Sequence, residues 1–320
     1  MDYIILIIGF ILLIKGADVF VDGASKISKK LGIPSIIVGL TIVSLGTSAP
    51  ELAVSVLSSI KGSNDMAVGN VLGSNIFNIL MVLGATSLFT TTIIYKKDVK
   101  RDYLVALGST ILFTILSFTI LIQGQVNVLS RLDGLVLLSL CVVYIFALVK
   151  STLKSKKSLT EEENISEIKV FSNIVKILIG IAAIIYGGDL VVSSASAIGM
   201  SFGMSEKIVG LTIVAVGTSL PELVTSLVAA KKGENEIALG NALGSCIFNI
   251  LLIIGTSSII SSITVASTLI IDFSFLIFIL VLLGIMIFAN KKESKRISKF
   301  EGLLLVSLYI GYIVFIIVNN

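Results

Sequence analysis

Long apolar runs alternate with short clusters of charge along this chain, and the length of those runs is the first clue. Stretches such as 3–21, 103–122 and 269–289 carry few charges, and each approaches the ~20 residues that a helix needs to cross a bilayer. Read between the charge clusters, the pattern predicts ten spans, at 3–22, 34–60, 66–90, 103–123, 128–149, 173–197, 207–230, 236–260, 268–289 and 301–318. Lipid-facing backbone must satisfy its own hydrogen bonds, so repeated runs of this length predict an all-α polytopic membrane protein. The first run has no basic flank, because Asp2 is the only early charge. It is therefore expected to be a retained helix and not a secretory signal.

Charge gives the spans a direction. Lys26, Lys29 and Lys30 follow the first span, and Lys96, Lys97, Lys100 and Arg101 follow the third. Six lysines from Lys150 to Lys176 follow the fifth, Lys231 and Lys232 the seventh, and five basic residues from Lys291 to Lys299 the ninth. These five loops hold 20 of the 24 Lys and Arg residues. Basic loops stay in the cytoplasm, so both termini are predicted outside and the central linker, 150–172, inside. The linker separates a five-helix half at 1–149 from another at 173–320. Its acidic run, Glu161 to Glu163, lacks the spaced ligands and the glycine of an EF-hand loop.

Composition agrees: 320 residues, 55% hydrophobic and 14% charged, with a mean hydropathy of +1.07. A soluble domain carries about 25% charged residues. The net charge of +4 follows from the loop asymmetry and points to no nucleic-acid partner. No cofactor motif and no obligate protein partner is evident; the lipid bilayer is the surrounding partner. Cys141 and Cys246 lie in apolar segments and are expected as buried free thiols. The chain has no histidine, which removes the commonest ligand of transition metals.

An internal repeat is plain. Residues 39–80 read GLTIVSLGTSAPELAVSVLSSIKGSNDMAVGNVLGSNIFNIL, and residues 210–251 read GLTIVAVGTSLPELVTSLVAAKKGENEIALGNALGSCIFNIL. They align without a gap at an offset of 171, with 26 identities in 42 positions. Each copy occupies the second and third spans of its half. Five is an odd number of spans, so the second copy is predicted to enter the membrane from the opposite side, as two inverted-topology five-helix repeats.

The repeat also concentrates the polar residues. Ser44, Thr47, Ser48, Glu51 and Ser55 fall at helical spacings of three and four, and Thr218, Ser219, Glu222 and Ser226 repeat the stripe with Ala215 in place of the first serine. A carboxylate at mid-membrane costs about 2.5–3.5 kcal/mol on insertion scales, so Glu51 and Glu222 require a partner, water or an ion. Pro50 and Pro221 precede them and are expected to loosen the carbonyls around Gly46-Thr47 and Gly217-Thr218. Asn70, Ser74 and Asn78, and in the second copy Asn241, Ser245 and Asn249, lie beside glycines that allow close helix approach. The oxygens so gathered suit calcium, which takes six to eight hard ligands, and sodium can use a subset of them; zinc or copper would call for histidine or cysteine. Ser55 and Ser226 are read as packing hydroxyls, and Asp18 and Asp189 as interfacial acids.

The paired GTSxPE motifs, Gly46 to Glu51 and Gly217 to Glu222, and the paired GNxxGSxxFN motifs resemble the two alpha repeats of the cation/calcium antiporter superfamily, in its sodium/calcium exchanger branch. The resemblance implies that Glu51, Glu222 and the carbonyls of Thr47 and Thr218 hold calcium. It implies that Ser44, Ala215, Ser48, Ser219, Ser74 and Ser245 help build flanking sodium sites, with Asn78 and Asn249 completing the centre. It also implies an exchange of three sodium ions for one calcium, which moves net charge. Some relatives carry an aspartate at the position of Asn249. The neutral amide here leaves two formal negative charges and predicts transport that needs no potassium. Calcium/proton antiport and potassium-dependent exchange are the rival readings. A channel fits less well than two buried clusters do, and an intramembrane protease would need Asp18 and Asp189 to meet.

Overall fold

A computed structural model of the chain describes residues 1–61, 64–90, 92–118, 127–155, 169–203, 215–289 and 292–319. Helix α1, Asp2–Leu31, outruns its apolar stretch. It continues through Lys26, Lys29 and Lys30 and stops at Gly32, whose φ of 64° caps the last turn. Hydropathy marks where the membrane ends, not where the helix does. The next span is not one helix. α2, Ser35–Thr47, and α3, Ala49–Ile60, meet at a 49° bend, with Ser48 at φ −83°, ψ 10° between them. There follow α4 (Met66–Phe89), α5 (Lys96–Phe118), α6 (Arg131–Leu153) and α7 (Val170–Ser201). The second half continues with the short α8 (Ala215–Thr218) and α9 (Leu220–Lys231). α10 (Asn235–Ile260), α11 (Ser267–Phe288) and α12 (Lys299–Val318) complete it.

Eight of these helices are long and apolar enough to cross a membrane, and the bent pair α2–α3 makes a ninth span. The sequence pattern predicts ten. The span expected at 207–230 is described only from Ala215 onward, and its earlier part lies outside the described residues. Every candidate span is helical, as expected, and two short ladders join the loops between them. β1, Thr92–Tyr95, pairs antiparallel with β4, Ser294–Ile297, and β2, Val128–Leu129, with β3, Ile263–Thr264. Strands of two to four residues are too short for an alternating pattern to register. Each ladder ties a loop of one half to a loop of the other.

Burial ranks the helices. The central window of α10 is 94% buried and that of α4 72%, against 33% for α1, α6 and α7 and 17% for α12. α4 and α10, the third spans of the two repeats, therefore form the centre. The outer helices expose large apolar side chains such as Ile7, Val142, Phe146 and Val318, as lipid-facing surfaces do. α1 and α7 pack along their length through small residues. Gly9 abuts Gly187, Gly16 abuts Gly180 and Gly23 abuts Asn173. Numbers rise on one helix as they fall on the other, so these equivalent first helices run antiparallel.

The same packing separates the two acids proposed for a protease. Asp18 lies level with the Gly180 region, roughly two turns or more from Asp189. It is instead paired with Lys232 at 3.0 Å, and Asp189 is exposed. Other buried acids are satisfied locally. Asp102 accepts from Arg101 at 2.9 Å and Tyr144 at 3.1 Å, and Asp133 accepts from the backbone N–H and the hydroxyl of Ser130 at 2.8 Å and 2.6 Å. Cys141 and Cys246 are buried and unbridged.

α2 crosses α10 at Gly39 and Gly240. A Cβ at Gly39 would stand 2.5 Å from the Ile237 carbonyl oxygen, and one at Gly240 would stand 2.5 Å from that of Ile36. Backbone cannot yield as a flexible side chain does. The substitution Gly240→Val is expected to cost about 1–3 kcal/mol through overpacking; a thermal-unfolding midpoint in detergent equal to that of the unaltered protein would contradict this contact.

Candidate cation-binding site

The bend after Thr47 builds the site. Pro50 has no N–H, so the Gly46 carbonyl lacks a donor four residues on, and Pro221 does the same to Gly217. The sequence pattern suggests a proline-loosened continuous helix with the glutamate at mid-span. The helix instead ends, and the proline opens a new one. Proline is favoured in a helix's first turn, where its missing N–H removes no bond. Glu51 and Glu222 thus stand in the first turns of α3 and α9. The carbonyl end of the preceding half-helix faces the same region, an arrangement that suits cations.

Both glutamates are fully buried, and each takes one serine from the opposite repeat and one from its own. Ser48 donates to Glu222 Oε1 at 2.8 Å, and Ser219 donates to Glu51 Oε1 at 3.1 Å. Ser74 on α4 reaches Glu51 Oε1 at 3.3 Å, and Ser245 on α10 reaches Glu222 Oε1 at 3.4 Å. Thr47 donates to Asn241 Oδ1 at 3.0 Å, and Thr218 donates to Asn70 Oδ1 at 3.5 Å. Six of the expected site hydroxyls therefore converge on the glutamates or on the amides beside them. Ser44 is buried too, but it bonds the Leu40 carbonyl of its own helix at 2.9 Å. Ala215 begins α8, and its side chain lies outside the described residues.

Asn78 and Asn249 are fully buried, and each starts a widened π-helical turn, at Asn78–Val82 and at Asn249–Ile254. Such turns gather at functional sites. No hydropathy or spacing signal marks them in the sequence. Asn70 and Asn241, which the stripe included but the ligand set omitted, brace the bends: Asn70 donates to the Glu51 carbonyl at 3.4 Å and Asn241 to that of Glu222 at 3.2 Å. Ser55 and Ser226 do more than pack, since they accept from those same amides at 3.0 Å and 2.9 Å.

What remains is a set of buried oxygens without protein donors: Glu51 Oε2, Glu222 Oε2, Asn78 Oδ1 and Asn249 Oδ1. A buried carboxylate oxygen without a donor is costly, and no Lys or Arg is ion-paired to either glutamate among the described residues. Nor is there any group of three or more His, Cys, Asp and Glu residues able to hold a metal among them. The cluster offers two carboxylates, amides and hydroxyls, a donor set for hard cations such as calcium and sodium.

An apolar helical bundle with an oxygen-lined, anionic cluster at its centre defines an ion-transporting multi-pass membrane protein. The chain matches the family model described as sodium/calcium exchanger protein over residues 1–150 and 172–318. It is 37% identical to the inner membrane protein YrbG of Escherichia coli (strain K12), across 80% of this chain and 79% of that protein. It is 31% identical to the sodium/calcium exchanger MaX1 of Methanosarcina acetivorans, across 98% of this chain and 97% of that protein. Its structure is similar to that of the sodium-calcium exchanger NCX_Mj soaked with sodium and calcium, at a TM-score of 0.81 and 30% identity, covering 98% of this chain and 97% of the other. The chain belongs to the sodium/calcium exchanger family of membrane transporters.

Asn241 touches three groups at once: Thr47, Ser226 and the Glu222 carbonyl. Asn241→Ala removes all three bonds at once; Thr47 and Ser226 keep bonds to the Val43 and Ala238 carbonyls, and a buried polar group left unpaired costs about 1–3 kcal/mol. Thermal unfolding in detergent should show a larger loss for Asn241→Ala than for Ser226→Ala, which removes only one of those bonds; the opposite order would refute the bracing role.

Proposed function

We propose that this chain exchanges sodium for calcium by alternating access, electrogenically and without potassium. The observation that carries the reading is the pair of buried carboxylates, each with one oxygen held by hydroxyls and the other without a donor. Calcium and sodium compete for that anionic cluster. Glu51, Glu222 and the Thr47 and Thr218 carbonyls hold calcium; Ser44, Ala215, Ser48, Ser219, Ser74 and Ser245 flank the sodium positions, and Asn78 and Asn249 complete the centre. Two ionised glutamates balance one calcium ion. Replacement by three sodium ions leaves one extra positive charge on the loaded carrier, worth about 2.3 kcal/mol per 100 mV of membrane potential. Carrying potassium together with calcium would set three positive charges against two negative ones in a weakly screened site.

The architecture proposed for this function is ten spans in two inverted five-helix halves, 1–149 and 173–320, joined by a cytoplasmic linker at 150–172, with both termini outside. Three features support it. Equivalent helices α1 and α7 run antiparallel; the two β-ladders exchange equivalent loops; and the bonds around Glu51 and Glu222 are reciprocal at the repeat offset.

Two measurements test the proposal. Proteoliposomes loaded with sodium should take up calcium-45 in potassium-free buffer, faster with the interior positive, whereas Glu51→Gln or Glu222→Gln should abolish uptake and leave the protein folded in detergent. Uptake that follows a proton gradient alone, or that vanishes until potassium is added, would replace this reading with one of its rivals. For topology, Lys61 and Lys231 are both exposed and close to equivalent in the two repeats. Lys61→Cys should react with an impermeant thiol reagent applied outside, and Lys231→Cys only with one applied from the cytoplasm; labelling of both from one side would overturn the inverted arrangement.

A further inference from the structure

The two halves of the cluster share the bonds from Ser48 and Ser219 to the glutamates and differ around one pair of positions. Asn75 of the first repeat corresponds to Cys246 of the second, and both are buried. Asn75 Nδ2 donates to the backbone carbonyl of Cys246 at 3.2 Å. A carbonyl can only accept, so the amide of Asn75 has one allowed orientation, with Oδ1 turned the other way. That oxygen accepts from Asn249 Nδ2 at 3.0 Å, and the second hydrogen of the same Nδ2 goes to Ser74 Oγ at 3.0 Å. Both donors of Asn249 are then used, which leaves its Oδ1 buried with no protein donor. Ser74, having accepted from Asn249, turns its own hydrogen to Glu51 Oε1 at 3.3 Å. The bonds diverge from the Asn249 amide, whose two hydrogens lead one way through Asn75 to the Cys246 carbonyl and the other way through Ser74 to the Glu51 carboxylate.

The equivalent bonds cannot form in the other half. Cys246 Sγ donates weakly to the Asn75 carbonyl at 3.8 Å, and a thiol is a poor acceptor for an amide. Asn78, the counterpart of Asn249, has neither amide atom bonded.

We propose that Asn75 is a positioning residue for cation binding: it locks the Asn249 amide so that Oδ1 faces the cluster as a fixed neutral ligand, while Asn78 stays unheld because Cys246 stands at the matching position. The cluster therefore has one preorganised amide oxygen and one adaptable one. This proposal rests on Glu51 and Glu222 being a cation site. It also makes Asn75 a determinant of what position 249 can be. A carboxylate there has no hydrogen to give Asn75 Oδ1, and it would set acceptor against acceptor at that contact.

The test is equilibrium calcium-45 binding to the purified full chain in detergent. Asn75→Ala is expected to weaken calcium binding about tenfold, as loss of a partner that orients a ligand does. In an Asn249→Ala background, the same substitution should change nothing further, which a general structural defect would not reproduce. Cys246→Asn supplies the missing acceptor for Asn78 and should tighten calcium binding, a gain that no loss of folding can mimic. Unchanged affinity in Asn75→Ala, an additive effect in the double variant, or no gain in Cys246→Asn would each overturn the lock. Glu51→Gln is run alongside. Calcium binding retained in Glu51→Gln overturns the cation-site reading and this proposal with it; binding lost there but unchanged in Asn75→Ala overturns the lock alone.

Discussion

Two carboxylates buried in an apolar bundle, with no cationic partner among the described residues, are the constraint on which the rest of this structure turns. The other fully buried acid among the described residues shows what an ordinary solution looks like: Asp102 has an arginine and a tyrosine. Glu51 and Glu222 have only hydroxyls, on one oxygen each. Hydrogen bonds to a charged group contribute about 1.5–3 kcal/mol each, whereas burying an ion costs several kcal/mol even after the protein relaxes. A domain's net stability is about 5–15 kcal/mol, so two such debts are a large fraction of it. An unbonded carboxylate oxygen at that depth is tolerable when a cation spends much of its time beside it.

The fold meets this constraint by interrupting itself. A continuous helix would use every carbonyl near Glu51 internally. Ending α2 at Thr47 and starting α3 at Ala49 leaves backbone oxygens with no helical partner and places the glutamate in a first turn. Irregular backbone at membrane depth is stable only where protein covers it or it lines a polar cavity, and that requirement explains the surroundings. α10, the most buried helix, presses against α2 through Gly39 and Gly240 with no room for a Cβ. Asn70 and Asn241 hold the bends by bonding the glutamates' own carbonyls. The outer helices contribute apolar bulk and face lipid.

Much of this was legible from residue order, because its signals repeat. Apolar length marks each crossing, and a polar stripe with a glutamate, present twice, marks the site. The features that stayed hidden are those that depend on where two distant segments meet. Pro50 predicts loosened carbonyls but not the break at Ser48, since proline alone does not say whether a helix bends or restarts. The π-helical turns at Asn78 and Asn249 have no pattern of their own. The ladders joining β1 to β4 and β2 to β3 are too short to alternate. Asn75 lies off the Asn70–Ser74–Asn78 stripe, and no spacing singles it out; only its contact with the Cys246 carbonyl, across the interface of α4 and α10, gives it a role. Ser44 shows the converse: in the stripe by spacing, its hydroxyl bonds the Leu40 carbonyl of its own helix.

Reciprocity around the two glutamates has a physical consequence of its own. When Ser48 serves Glu222 and Ser219 serves Glu51, neither half of the cluster can be completed without the other, so a displacement of one repeat against the other disturbs both carboxylates together. A cation bridging the free oxygens opposes that displacement, because it needs the two halves at a fixed separation. Ions of different size and charge demand different separations and different numbers of oxygens; calcium takes six to eight. A cluster of two rigid, identical halves would suit one ion and strain with the other. If Asn75 locks the Asn249 amide as proposed, one oxygen held and one free would keep a fixed reference ligand while the opposite wall adjusts, and a thiol in place of an amide, Cys246 against Asn75, would create that difference.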